Sequence, residues 1–151
     1  MRIAAPGTRT YVQIAANLDP EVLALTARRQ LSPPLPDWTA LILTKPEILN
    51  LPLDWIAALS QWRGIYLIVD QTDGARYVGS AYGTENLLGR WRAHVAGAQG
   101  VTVELQHRDP AGFRFSILEL LSPAATPETV VALETSWKAR LDTLRYGLNR
   151  N

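Results

Sequence analysis

The segment GIYLIVDQTDGARYVGS, Gly64 to Ser80, determines the fold that we predict for this chain. Its first seven residues are almost all apolar and rich in β-branched and aromatic side chains, as expected for a central strand. The tripeptide Thr-Asp-Gly at 72 to 74 is typical of a hairpin turn, and RYVGS then predicts a second strand. We therefore expect the two strands to pair as an antiparallel hairpin.

The residues after this hairpin predict two helices and a third strand. Thr84 can cap a helix over ENLLGRWRAHV at 85 to 95, and GFRFSILELL at 112 to 121 predicts the strand. Thr126 and Pro127 are typical of a helix start, so a closing helix is expected from there to Leu144. The predicted fold class is α+β, with a small three-stranded antiparallel sheet flanked by helices.

Residues 1 to 60 are predicted to form an N-terminal extension that packs on the core domain, residues 61 to 151. The segment LSPPLPDW, Leu31 to Trp38, has three prolines in five residues, which exclude a continuous helix or central strand. It is the best candidate for a linker. The apolar runs that follow exceed what a disordered arm would carry, so we expect either a target-recognition surface or a dimer contact here.

Two helices are expected within the extension. Asp19 can cap the first, with Pro20 at its first position, so that a short amphipathic helix runs to Leu31. Asp54 can cap the second, over Trp55 to Trp62.

The composition limits the class of protein. A length of 151 residues with 47% hydrophobic residues is sufficient for one domain with a real core. Lys plus Arg number 15 against 14 Asp plus Glu, so a nucleic-acid partner would have to bind a local patch. The absence of cysteine excludes disulfides, zinc fingers and thiol chemistry. No stretch approaches the roughly 18 apolar residues that span a bilayer, and we expect a cytoplasmic protein without membrane contact.

Arg90 and His94 lie one turn apart on the helix that follows the hairpin. At about 100° per residue they share a face along the rim of an apolar stripe formed by Leu87, Leu88, Trp91 and Val95. Such a pair is also common on a solvated helix face. The rim position favours a cleft.

Glu134 is an unusual residue because it falls inside an apolar stripe. The predicted stripe of the closing helix consists of Val130, Val131, Leu133, Trp137, Leu141 and Leu144. A carboxylate on an apolar face costs several kcal/mol unless a cation or hydrogen-bond donors meet it. Glu134 therefore needs a cation or hydrogen-bond donors beside it, and its plainest explanation is that it is the buried partner of an arginine such as Arg90.

Tyr66 and Tyr77 lie on the two strands of the predicted hairpin. Aromatic residues in strands are usually core residues. Gly64 and Gly79 beside them would let a ligand approach the strand backbones, with both hydroxyl groups directed at it. Asn149 has an equally plain explanation as a polar residue in the C-terminal segment.

These features occur in an order that resembles the GIY-YIG nuclease superfamily. The matching segments are GIY at 64 to 66, YVG at 77 to 79, GRWRAH at 89 to 94, the helical Glu134, and GLN at 147 to 149. Ser80, directly after the second motif, resembles the homing-endonuclease branch. The departures are Val78 in place of isoleucine, the segment AYGTE that lengthens the path to Arg90, and residues 1 to 60 outside the common core.

The resemblance implies one active site on a small antiparallel sheet. It is built from two motif tyrosines, an arginine and a histidine on the first helix, a metal-binding glutamate on a later helix and an asparagine near the end. The corresponding positions are Tyr66, Tyr77, Arg90, His94, Glu134 and Asn149.

The resemblance further implies a metal-dependent DNA endonuclease that hydrolyses phosphodiester bonds. A two-metal site requires several clustered carboxylates, whereas the motif positions contain only one, Glu134. A single Mg²⁺ is therefore expected, with Mn²⁺ as a substitute. Arg90 would hold the phosphate, and Asn149 would fix the geometry of the site. Either Tyr66 or His94 would be the general base.

Double-stranded DNA is the expected partner, with Arg76, Gly79, Ser80 and Arg92 as contacts. The protein is expected to be a monomer or a homodimer. A restriction-type or mobile-element role is the main interpretation, with DNA repair or processing as the second. The rival classes are a nucleic-acid-binding module without catalysis and an interaction domain without a nucleic-acid role.

Overall fold

The structure is a computed structural model that describes residues 32 to 97 and 101 to 151. Residues Leu35 to Asn151 form one compact unit, so the extension from Leu35 onward belongs to the same unit as the core. The helix expected after Asp19 lies outside the described residues.

Within the described residues, four strands form one antiparallel sheet. They are β1 (Ile42–Thr44), β2 (Arg63–Asp70), β3 (Arg76–Ala81) and β4 (Phe113–Leu121), in the order β1-β4-β2-β3. The predicted α+β fold with an antiparallel sheet flanked by helices is confirmed. The sheet has one strand more than predicted, because the short apolar run in the extension pairs with β4, where Leu43 lies opposite Phe115.

The β2–β3 hairpin forms where the sequence predicted it. Tyr66 lies opposite Gly79, and Ile68 lies opposite Tyr77. The turn contains Gly74 with φ of 77°, a left-handed conformation that suits glycine. Since β2 pairs with β3 on one side and β4 on the other, it is the central strand that its apolar sequence indicated.

Helices cover both faces of the sheet. In chain order they are α1 (Lys45–Leu49), α2 (Leu53–Gln61), α3 (Asn86–Ala96), α4 (Val103–Gln106), α5 (Pro127–Arg140) and α6 (Thr143–Tyr146), with a 3₁₀ turn at Pro110–Gly112. Thr126 caps α5 as predicted, since its side chain accepts from the Thr129 N–H. Two predicted caps are wrong: Glu85 rather than Thr84 precedes α3, and Asp54 lies inside the first turn of α2.

The side chains of β2 alternate between two apolar layers. Tyr66 and Ile68 belong to the larger layer, together with Trp91 of α3. Ile65 belongs to the smaller layer on the opposite face, together with Val130 of α5. This alternation follows from the period of two along a strand.

The apolar stripe predicted for the closing helix is only partly correct. Val130 is buried, and Leu133, Trp137 and Leu141 pack around the smaller layer. Val131 and Leu144 are 56% and 47% exposed. Leu144 is not part of the same face, because α5 ends at Arg140 and Leu144 lies on α6. In the described ranges, no helix is long and apolar enough to cross a membrane.

Candidate active site

Tyr66 and His94 form a buried hydrogen-bonded pair. Tyr66 lies on the face of β2 that α3 covers, and His94 follows Trp91 by three residues on the buried side of α3. The Tyr66 hydroxyl oxygen lies 2.7 Å from His94 Nε2. The two residues are 0% and 2% exposed, so the prediction that His94 lies on the rim of the helix is wrong.

Tyr77 completes an aromatic cluster around this pair. Its ring centroid lies 6.4 Å from that of Tyr66 and 5.6 Å from that of His94. Trp91 meets Tyr66 edge to face at 6.5 Å. Such edge contacts stabilise aromatic clusters, so the two phenols and the imidazole pack as one buried group.

Gly79 is required by the packing of this cluster. A Cβ atom at position 79 would lie 2.5 Å from Tyr66 Cζ and 2.9 Å from Tyr77 Cε1. A Cβ atom at Gly64 would lie 2.7 Å from the Glu119 carbonyl oxygen. The expectation that these glycines admit a ligand is therefore wrong, because protein atoms occupy the space beside them. Gly79 is also buried, which favours a packing role over the predicted contact with nucleic acid.

Burial controls the protonation of the Tyr66–His94 pair. It raises the pKa of the Tyr66 phenol, with a smaller contribution from Tyr77, while Arg90 opposes the shift. The pKa of Tyr77 is also raised, by burial and then by Glu134. Burial, and after it Arg90, lowers the pKa of His94 to about 3. His94 is therefore neutral near pH 7 and can accept the Tyr66 O–H at Nε2 when its own proton is on Nδ1.

Arg90 connects this cluster to a surface cleft of about 300 Å³. Ser80, Tyr82 and Gly83 also line the cleft. Burial acts to lower the pKa of Arg90, but Tyr66, Tyr77 and Glu134 raise it overall, so the guanidinium stays charged. Arg90 Nε is buried without a hydrogen-bond partner in the described part of the chain. A buried cationic donor at the wall of a cleft is suited to binding an anion.

Glu134 is bound by two neighbours. Its carboxylate accepts a hydrogen bond from the Ser80 hydroxyl at Oε2, and Lys138 Nζ lies 2.7 Å from Oε1. The interpretation of Glu134 as the partner of an arginine such as Arg90 is wrong, because the cation beside it is Lys138. Lys138 lies one helical turn away, and this i,i+4 spacing was readable in the sequence.

Glu134 fits a divalent cation that keeps most of its water. Its side chain is 19% exposed, and its partner Ser80 lines the cleft. The described residues contain no cluster of three or more metal-ligating side chains that would enclose an ion. Mg²⁺ is commonly bound by one or two carboxylates together with water and substrate phosphates, so a single, partly exposed carboxylate beside a cleft residue suits it.

Asn149 lies against the backbone of β3. Its side-chain oxygen accepts from the Val78 N–H at 2.9 Å, and its amide donates to the Val78 carbonyl at 2.8 Å. Leu148 N–H also donates to the Arg76 carbonyl at 2.8 Å. The C-terminal segment therefore covers the free edge of β3 at Arg76 and Val78. Asn149 holds the strand backbone between Tyr77 and Gly79.

The predicted nucleic-acid contacts are distributed unevenly. Ser80 lies at the cleft, whereas Arg76 and Arg92 are exposed and are not among the described residues that line it. The sequence interpretation did not single out Tyr82, which is 44% exposed at the cleft. It lies in the segment AYGTE, whose added length was the only signal.

A larger cavity of about 560 Å³ lies at the turn end of the hairpin. Both arginines that line it are already paired with carboxylates: Arg108 lies 2.8 Å from Asp70, and Arg150 lies 3.0 Å from Glu104. Because its remaining charged lining is acidic, this cavity is poorly suited to a phosphate despite its size.

The chain matches a known protein family. The GIY-YIG catalytic domain family matches residues 63 to 147, which is more than half of the chain. Among solved structures, the chain is similar to a variant of the catalytic domain of the intron endonuclease I-TevI. Their sequence identity is 24% and the TM-score 0.49, over 60% of this chain and 95% of that one.

A structure of the catalytic domain of the homing endonuclease I-TevI is also similar, at 27% identity and a TM-score of 0.45. The comparison covers 56% of this chain and 94% of that one. No curated protein has significant similarity to the chain. The family match includes both motif tyrosines, Arg90, His94 and Glu134, and ends two residues before Asn149. The chain therefore belongs to the GIY-YIG nuclease superfamily.

Proposed function

We propose that this protein is a metal-dependent endonuclease that hydrolyses phosphodiester bonds in double-stranded DNA. One observation carries the proposal: the charged Arg90, with a buried Nε that has no partner in the described chain, connects the cleft to the Tyr66–His94 pair. A phosphate bound in the cleft would meet the Arg90 cation, and the Tyr66–His94 pair lies buried next to that arginine. This combination supplies charge stabilisation and a proton acceptor.

Arg90 would bind the phosphate that is cleaved. Its guanidinium can donate several hydrogen bonds to phosphate oxygens, and partial burial strengthens each of them. Because the Arg90 charge lowers the pKa of His94, an anion bound to Arg90 would raise that pKa again. Substrate binding would therefore make His94 a better proton acceptor.

Tyr66 and His94 would act together on the attacking water. Tyr66 donates its hydroxyl proton to His94 Nε2, which leaves the phenol oxygen free to accept a proton from water. Since burial disfavours a free phenolate, we propose that the two transfers are concerted, with His94 as the final acceptor. In this mechanism Tyr66 accepts the proton from water, and His94 carries the proton at the end of the two transfers.

Glu134 would hold a single Mg²⁺, with Mn²⁺ as a substitute. When bound, the cation would polarise the phosphoryl group and stabilise the leaving oxygen. Ser80 fixes the carboxylate through its hydrogen bond, so the strand that carries Tyr77 also positions the metal ligand. A restriction-type or mobile-element role is our proposal for the biological class and depends on the family resemblance.

Cleavage of supercoiled plasmid by the full chain with Mg²⁺ tests the proposal. The wild type should nick or linearise the plasmid, and a chelator should stop the reaction. Arg90→Ala should lower the rate by at least about a hundredfold, because a phosphate charge is left unmatched. The matched control is Arg114→Ala, which removes an exposed arginine from β4 and should change the rate by less than about twofold.

Two outcomes would contradict the proposal. A folded Arg90→Ala protein that cleaves at the wild-type rate would remove Arg90 from the mechanism. A wild type that binds DNA but does not cut single- or double-stranded DNA with Mg²⁺ or Mn²⁺ would favour a binding module instead.

A further inference from the structure

Lys138 is a buried lysine with two partners. The residue is 7% exposed, and its ammonium nitrogen lies 2.7 Å from Glu134 Oε1. The same nitrogen donates to the main-chain oxygen of Asn151 at 2.8 Å. Lysines are almost never buried unless they are paired, so these two contacts determine where the ammonium group lies.

The pairing matters because Glu134 has only two carboxylate oxygens. Ser80 occupies one and Lys138 the other. A divalent cation that binds Glu134 must share the carboxylate with the Lys138 ammonium or displace it. Two cations within contact distance of one carboxylate repel each other, and low exposure weakens the screening by water.

The second contact provides a place for the ammonium group after displacement. The Asn151 oxygen binds Lys138 independently of Glu134, so the lysine can leave the carboxylate without losing every partner. Loss of both partners would leave a buried charge unmatched, at a cost of several kcal/mol. The Asn151 contact therefore makes exchange between the lysine and a metal ion feasible.

On the basis of the proposed function, we propose that Lys138 is a positioning residue that competes with the divalent cation for Glu134. It keeps the carboxylate aligned beside Ser80 and weakens metal binding. A purely structural lysine would hold α5 and the C-terminal segment together without opposing the metal. The two roles predict opposite changes in metal affinity when the charge is removed.

Direct measurement of Mn²⁺ binding by the purified full chain, without DNA, separates these roles. Free Mn²⁺ is followed by electron paramagnetic resonance in the wild type, Lys138→Met, Lys138→Gln and Lys138→Arg. Removal of the competing charge should tighten Mn²⁺ binding about fivefold or more, as expected for the loss of roughly 1 kcal/mol of competition. Lys138→Arg keeps the charge and should remain within about twofold of the wild type.

Lys138→Met removes both contacts of the ammonium group and can fold less well than the wild type. Lys138→Gln removes the charge but can still donate a hydrogen bond to the Asn151 oxygen, so it serves as the second charge-removing variant. Thermal melts identify which variants are folded. Equal or weaker binding in the folded charge-removing variants would overturn the proposal. If the wild type does not bind Mn²⁺, Mn²⁺ binding by Lys138→Gln would support the competition. Absence of Mn²⁺ binding from every variant would refute the competition.

Glu134→Gln distinguishes this inference from the proposed function. Loss of Mn²⁺ binding in Glu134→Gln, together with unchanged binding in Lys138→Gln, would leave Glu134 as the ligand and refute only the competition. Wild-type Mn²⁺ affinity in Glu134→Gln would instead refute the metal-binding role of Glu134 in the proposed function.

Discussion

At the scale of single residues, the proposed chemistry depends on the burial of His94. An exposed histidine is half protonated near pH 6.5 and would often carry a charge that blocks Nε2 as an acceptor. Burial of His94 on the core side of α3, together with the charge of Arg90, keeps the imidazole ring neutral. The Tyr66 hydrogen bond can therefore be directed toward His94 over the whole neutral range.

This environment predicts a pH dependence of stability. The pKa of His94 is lowered from 6.5 to about 3 in the folded state, so the unfolded chain binds a proton first as the pH falls. The contribution to stability is complete above pH 6.5 and is lost between 6.5 and about 3, by at most about 1.4 kcal/mol per pH unit. The unfolding free energies of the wild type and His94→Gln can be measured by urea denaturation from pH 7.5 to 4. The difference between the two proteins should become smaller as the pH falls.

The other histidine serves as the control. His107 is exposed, so His107→Gln should keep the wild-type pH profile. Parallel profiles for the wild type and His94→Gln would contradict the assignment of a neutral buried imidazole.

At the scale of elements, the β2–β3 hairpin and the C-terminal segment form one positioning unit. Gly79 accommodates the Tyr66 ring, and Asn149 pairs with both backbone groups of Val78 next to it. Buried backbone groups are expensive to leave unpaired, so the amide of Asn149 replaces the neighbouring strand that β3 lacks at its edge. The position of Tyr77 and Ser80 follows from this arrangement.

Gly79→Ala should destabilise this unit. The new Cβ would lie in the space of the Tyr66 ring, and overpacking of this kind costs about 1 to 3 kcal/mol. The shifted ring would also lose its contact with His94, so cleavage should fall even in folded protein. Urea denaturation gives the loss of stability directly.

Gly83→Ala is the matched substitution, because nothing lies within 4 Å of a Cβ at that position. Its unfolding free energy should lie within about 0.5 kcal/mol of the wild type. If Gly79→Ala and Gly83→Ala had the same unfolding free energy, packing of the Tyr66 ring would not require glycine at position 79.

At the scale of the whole molecule, part of the N-terminal extension belongs to the core. Leu41, Leu43, Ile48 and Leu59 are all buried in the larger apolar layer. Burial of such side chains contributes about 1.5 to 3 kcal/mol each, and the sum is comparable to the total stability of a domain. The expected roles of the extension in target recognition or dimer formation remain predictions.

Two fragments test this contribution. A chain from residue 35 to 151 should unfold cooperatively, whereas a chain from 61 to 151 should lose its cooperative transition because β4 loses β1 and the larger layer is opened. Near-ultraviolet circular dichroism and thermal melts of both fragments would show the difference. A shorter fragment that melts as sharply as the longer one would contradict the inclusion of residues 35 to 60 in the core.

The sequence by itself determined the features that depend on neighbouring residues. The hairpin over Gly64 to Ser80 could be predicted because its strand pattern and turn are local signals. The start of α5 could be predicted for the same reason, because Thr126 and Pro127 form a local signal for a helix start. The order of the motif residues then identified the superfamily, and with it a set of candidate site residues. The pair Glu134 and Lys138 was equally local, but only its acidic member was recognised.

Only the tertiary structure decided which side chains meet and how far each is exposed. Tyr66 and His94 are separated by 28 residues, Ser80 and Glu134 by 54, and Val78 and Asn149 by 71. Spacing along the chain cannot specify such contacts, because they arise from the packing of helices on both faces of one sheet. The same packing buried His94, which helical periodicity had placed at a rim, and so produced the neutral imidazole on which the proposed chemistry depends.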